Sequence, residues 1–112
     1  MTDLASDALR IVGQGDDIAE GSIVPYYVND LKRRVSVARV DGRLYAFADL
    51  CTCAEPACPL SGGLLTGTTL MCQCHGYQFD ITTGAVVRGL ATTEPLCVYA
   101  VQEVDGAIQL RA

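Results

Sequence analysis

Residues 35–48 read Val-Ser-Val-Ala-Arg-Val-Asp-Gly-Arg-Leu-Tyr-Ala-Phe-Ala. Two short runs rich in β-branched and aromatic residues flank an Asp-Gly pair, Asp41-Gly42. Such a pair between two runs of this kind is a strong hairpin signal, because both turn residues must take positive φ. The device recurs at Asp105-Gly106, between runs at 97–104 and 107–110. Residues 23–28 and 10–12 are further strand candidates, and 70–72, 77–80 and 85–88 are short ones. No ten-residue stretch combines apolar helical spacing with caps, although 16–19 admits one turn. The expectation is all-β, a small antiparallel sandwich or barrel. Pro56, Pro59 and Ser61-Gly62-Gly63 mark an irregular loop from 51 to about 67.

At 112 residues the chain suits a single domain, and half of it is hydrophobic, enough for a core without disulfide staples. A net charge of −5 argues against nucleic-acid binding, which rests on neutralising phosphates. It suits a steered encounter with a basic protein partner. The one basic run, Lys32-Arg33-Arg34, reads as a solvated loop. Met1 to Arg10 lacks the apolar segment of a secretory signal, and no run has the length of a membrane span. A cytoplasmic chain without membrane contact is expected, and in a reducing compartment six cysteines point to metal ligation rather than a disulfide framework.

Five of the six cysteines and the sole histidine fall within residues 51–75. They form two clusters: Cys51-Thr-Cys53 with Cys58, then Cys72-Gln-Cys74-His75. Soft thiolates and an imidazole converging from two loops suit zinc or an iron–sulfur cluster. Structural zinc usually takes Cys-x2–4-Cys pairs, whereas the first pair here is Cys-x-Cys. Inert buried thiols are the bland alternative, and the density of the clusters disfavours it. Spacing alone leaves the choice of metal open. Cys97 lies in a strand pattern far along the chain and reads as a core residue.

Cys51-Thr-Cys53-Ala-Glu-Pro-Ala-Cys58-Pro-Leu-Ser-Gly-Gly, followed by Cys72-Gln-Cys74-His75-Gly76-Tyr77-Gln78-Phe79-Asp80, resembles the Rieske [2Fe–2S] family. The family pattern is Cys-x-His, a spacer, then Cys-x-x-His-Gly and an aromatic-Asp. The second half matches; the first departs, with Cys53 where the family has His. The resemblance covers the whole chain. It implies one domain over 1–112, an antiparallel β-sandwich with cluster-binding loops at about 51–63 and 72–80. It places Cys51 and Cys72 on an inner iron, and Cys53 and His75 on an outer iron near solvent. With one histidine in the chain, two imidazole ligands cannot form. The resemblance also implies a Cys58–Cys74 disulfide joining the loops, with two facing buried thiols as the alternative. Leu90 stands where many members have Pro, in a third covering loop.

Function follows from the same comparison. The expectation is an electron carrier rather than an enzyme, passing electrons from a separate reductase to an oxygenase through transient contacts. No dinucleotide fingerprint is present, and one histidine cannot supply a two-His, one-carboxylate iron site. A monomer is expected. Alternatives are a redox- or pH-sensing module and a zinc-stabilised interaction domain. Three thiolates and one imidazole leave an oxidised cluster more negative than two of each. The reduction potential is therefore expected roughly between −300 and −100 mV, below usual Rieske values. Tyr77 and Phe79 replace Ser and Tyr of high-potential members, so fewer hydroxyls reach sulfur. One redox-linked ionisation is expected, from His75 alone. Gly62, Gly63 and Gly76 either let backbone N–H groups approach sulfur or serve turn geometry.

Overall fold

The computed structural model describes residues 9–29, 32–49, 59–73, 76–89 and 93–111. The strands among the described residues are β1 (Leu9–Gln14), β2 (Ile23–Val28), β3 (Arg33–Val40), β4 (Arg43–Ala48), β5 (Leu64–Thr66), β6 (Thr69–Met71), β7 (Gln78–Asp80), β8 (Val86–Arg88), β9 (Val98–Val104) and β10 (Ala107–Arg111). Two 3-10 turns cover Gly15–Asp17 and Leu60–Gly62. The strands build a six-stranded sheet in the order β1-β10-β9-β4-β3-β2 and a four-stranded sheet in the order β5-β6-β7-β8. Every pairing is antiparallel. The all-β expectation holds.

Both Asp-Gly pairs close two-residue hairpins, Val40 facing Arg43 and Val104 facing Ala107. Asp41 and Gly42 have φ of 53° and 78°, and Asp105 and Gly106 have 51° and 80°. Positive φ at both positions matches the right-handed twist of the flanking strands. The first turn is also capped from outside. The exposed Glu20 carboxylate accepts the N–H of Asp41 at 2.6 Å and of Gly42 at 2.9 Å. The Gly42 N–H, then that of Asp41, holds the Glu20 carboxyl below its ordinary value. A folded-state pKa below the unfolded one stabilises above the unfolded value and is lost as pH falls through the folded value. Glu20→Gln is therefore expected to melt below the native protein at pH 7. The gap in melting temperature should close on acidification below about pH 4. A gap unchanged with pH would show that the charge plays no part.

The central strands are buried on both faces, because the large sheet carries a core on each side. Val35, Val37 and Ala46 join Ile18, Val28, Ile108 and Leu110 in one cluster. Ala38, Val40 and Phe47 join Leu60, Leu70, Phe79, Ile81 and Leu96 in the other, between the two sheets. Period-two alternation sorts these residues onto opposite faces. Ser36, a polar position in the sequence pattern, is fully buried opposite Phe47. Arg39 does not simply face water. Its guanidinium donates to the carbonyls of Ile18 and Gly15, each at 2.8 Å, and pairs with Glu103 at 3.2 Å. It thereby ties the 3-10 turn at Gly15–Asp17 across the end of the first core.

Three sequence expectations change. The stretch from 51 to 67 is not irregular throughout, since it contains the Leu60–Gly62 turn and β5. The basic run is exposed, as expected, but only Lys32 lies in a turn. Arg33 and Arg34 open β3, Arg33 donates to the Tyr99 hydroxyl at 3.0 Å, and Arg34 Nε pairs with Asp49 at 2.6 Å. Cys97 is exposed rather than in the core. It stands between buried Leu96 and half-buried Val98, on the outward phase of the chain entering β9.

Candidate metal centre

The second expected ligand loop joins β6 to β7. Met71 pairs with Gln78, and beyond them the Cys72 N–H donates to the Tyr77 carbonyl at 2.7 Å. The Gly76 N–H returns to the Cys72 carbonyl at 3.0 Å. Gly76 closes this pinch at φ +73°, a conformation that a side chain disfavours. Cys72 is 1% exposed and belongs to the core between the sheets. The loop thus has a buried thiol at its base, with Gln73 exposed beyond it.

The first expected loop leaves β4 after Ala48, whose N–H donates to the Cys97 carbonyl at 2.9 Å. It returns through Pro59 into the Leu60–Gly62 turn, with Leu60 fully buried. Its two ends lie close together. The buried Asp49 carboxylate accepts the Ser61 N–H at 2.6 Å and the Ser61 hydroxyl at 3.2 Å. After the turn the chain runs hard against β6, where a Cβ at Gly63 would stand 2.3 Å from the Met71 carbonyl oxygen. A Cβ at Gly62 would meet the Gln73 side-chain nitrogen at 2.7 Å. Close approach of backbone accounts for Gly63, whose N–H donates to the Leu60 carbonyl at 2.9 Å; at Gly62 the neighbour is the end of an exposed, flexible side chain, which can move aside.

A third loop follows β8. Thr93 Oγ1 is buried with no hydrogen-bond partner. It lies 2.9 Å from where a Gly89 Cβ would stand, and a Tyr77 ring carbon lies 3.1 Å from the same point. All three loops thus meet on one end of the four-stranded sheet. Phe79 is fully buried, pairing with Leu70 and Val86, a place for an apolar ring rather than a phenol.

Of the four expected ligands, only Cys72 is among the described residues. Cys51, Cys53 and His75 lie outside them, as do Cys58 and Cys74 of the expected clamp and Leu90 of the covering loop. Among the described residues no three metal-ligating side chains converge. What is described fits an iron–sulfur group. A buried soft donor stands at the base of a pinched loop, a buried hydroxyl lacks a protein partner nearby, and two loops abut without side-chain bulk at Gly63. Sequence reading missed Asp49, Ser61, Arg34 and Thr93. Only the position of Asp49 two residues before Cys51 could have drawn attention to it.

The Rieske [2Fe-2S] domain model matches residues 9–104. The ferredoxin component of the naphthalene 1,2-dioxygenase/salicylate 5-hydroxylase systems of Ralstonia sp is 38% identical over 98 residues, covering 86% of this chain and 88% of that one. The Sphingomonas yanoikuyae B1 ferredoxin superposes with a TM-score of 0.79 at 27% identity, covering 92% of this chain and 97% of that one. A chain from the complex of reduced oxygenase and oxidized ferredoxin in carbazole 1,9a-dioxygenase superposes at 0.78 with 28% identity, covering 94% of each.

Proposed function

Because this chain belongs to the Rieske [2Fe-2S] domain family, we propose that it is the ferredoxin of an oxygenase system, taking electrons from a separate reductase. The chain is an electron carrier that holds a [2Fe–2S] cluster. The observation that supports the oxygenase partner best is agreement over almost the full length of both chains with ferredoxins of such systems. No described helix is long and apolar enough to cross a membrane. In this reading the chain is one domain and a cytoplasmic monomer, whose contacts with its partners are transient and small in area.

When bound, the cluster stores one electron. The proposed ligands are Cys51 and Cys72 on the inner iron, and Cys53 and His75 on the outer. Cys72 supports its own assignment by burial at the base of the pinched loop. Cys53 adds a thiolate where the family has a neutral imidazole, which lowers the potential. Phe79, packed in the core, offers no hydroxyl to sulfur. Cys58 and Cys74 are proposed as a disulfide clamp between the loops.

Protein purified without oxygen is expected to be red-brown and to contain two irons per chain. After reduction by a nicotinamide-linked flavin reductase, it is expected to be reoxidised by an oxygenase in the presence of aromatic substrate. A colourless zinc protein would refute the cluster. A red protein that no reductase–oxygenase pair turns over, and that loses its cluster on one cycle of oxidation and mild acid, would favour a sensor.

A further inference from the structure

Asp49 is a fully buried carboxylate, and the fold gives no reason of its own to keep one there. An ionised side chain out of water is unfavourable unless charge and hydrogen bonds compensate it, and apolar residues usually serve stability as well. Three donors from two residues supply that compensation here. Arg34 Nε donates to Oδ2 at 2.6 Å, the Ser61 N–H to Oδ1 at 2.6 Å, and the Ser61 hydroxyl to Oδ2 at 3.2 Å. The Asp49 N–H also donates to the Arg34 carbonyl at 3.0 Å. One residue therefore joins the start of β3, the end of β4 and the turn at Leu60–Gly62.

These contacts have a common consequence. Asp49 and Ser61, described residues on either side of the first expected loop, are held together by a single carboxylate. From Ser61 the constraint continues into the second loop, because Gly62 lies against Gln73 and Gly63 against the Met71 carbonyl. We infer that Asp49 is a positioning residue that sets the first ligand loop against the second, with Arg34 and Ser61 as its partners. This rests on the reading that Cys51 and Cys53 bind iron. It adds that their placement depends on a buried side chain that is not itself among the proposed ligands. Buried polar contacts that specify one arrangement rather than adding stability are a recognised use of such groups.

The test compares Asp49→Asn and Arg34→Gln with the native protein as purified holoprotein, and measures the cluster content of Cys51→Ala purified in the same way. Asp49→Asn keeps the size of the side chain and an acceptor for the Ser61 N–H, but loses the charged pair. Its visible absorbance is expected to bleach at least tenfold faster under an iron chelator at 20 °C, and its midpoint potential to move upward. Arg34→Gln, which leaves Asp49 itself in place, is expected to bleach at least threefold faster and serves if Asp49→Asn does not fold. If the contact only stabilised the sheets, apo and holo melting temperatures would fall together while bleaching rate and potential stayed native. That outcome overturns the inference. Cys51→Ala distinguishes the premise: if it retains a native cluster, the ligand reading fails and the inference with it. If it loses the cluster while Asp49→Asn and Arg34→Gln bleach at the native rate, the clamp alone is wrong.

Discussion

Exchanging Cys53 for His is expected to raise the midpoint potential by about 125–350 mV. The estimate follows from ligand charge. Four-thiolate clusters lie near about −400 mV and two-His Rieske centres between roughly −150 and +300 mV, so each exchange of thiolate for imidazole covers about half that interval. The variant restores the family pattern Cys-x-His in the first loop and leaves Cys51, Cys72 and His75 untouched. Its visible spectrum should shift with the potential, because one sulfur-to-iron charge-transfer donor is lost. Protein-film voltammetry on the native and Cys53→His proteins measures the difference directly. A midpoint unchanged within 30 mV would show that Cys53 does not bind iron.

Phe79→Ala is expected to lose about 3–5 kcal/mol of folding stability. The ring is fully buried between Leu70 and Val86 in the cluster that joins the two sheets. Removing it forfeits the transfer free energy of the ring and leaves a cavity that neighbours fill only in part. The loss is a large share of the roughly 5–15 kcal/mol that holds an ordinary domain together. The four-stranded sheet feels it most, since each of its strands is three residues long. Ladders that short depend on side-chain packing. Phe79 also sits two residues from Tyr77, whose carbonyl pins Cys72, so iron content on purification should fall with stability. Urea unfolding followed by circular dichroism gives the stability difference. A loss under 1 kcal/mol would mean that the sheets are not joined through this ring.

The hairpins were legible because they are local. Asp41-Gly42 and Asp105-Gly106 demand positive φ wherever they occur, and the strands beside them follow. β2 and β4 start and stop where residue pattern places them. β5 was missed because three residues between Gly63 and Gly67 carry too little pattern to separate from a loop, and pairing with β6 is what defines it. Cys97 was misread because a strand-like run does not say which face of the sheet is covered. Arg33 and Arg34 look like solvated charge in a row of three bases. Only β3 beside β4 brings Arg34 to Asp49, and only β9 brings Tyr99 to Arg33.

The chemistry of the centre lies in the residues themselves: five clustered cysteines and one histidine, no second histidine, and no hydroxyl at Phe79. Side-chain identity is a covalent fact, and it carries the family resemblance and the expected low potential without any coordinates. Which glycine is required by a neighbour's backbone, which carboxylate is buried and what compensates it are decided by contacts between distant segments. Asp49 meets Arg34 fifteen residues away and Ser61 twelve residues away only after the sheets have formed. An isolated Asp in a sequence is a surface residue by default. The tertiary structure makes this one the junction of the start of β3, the end of β4 and the turn at Leu60–Gly62.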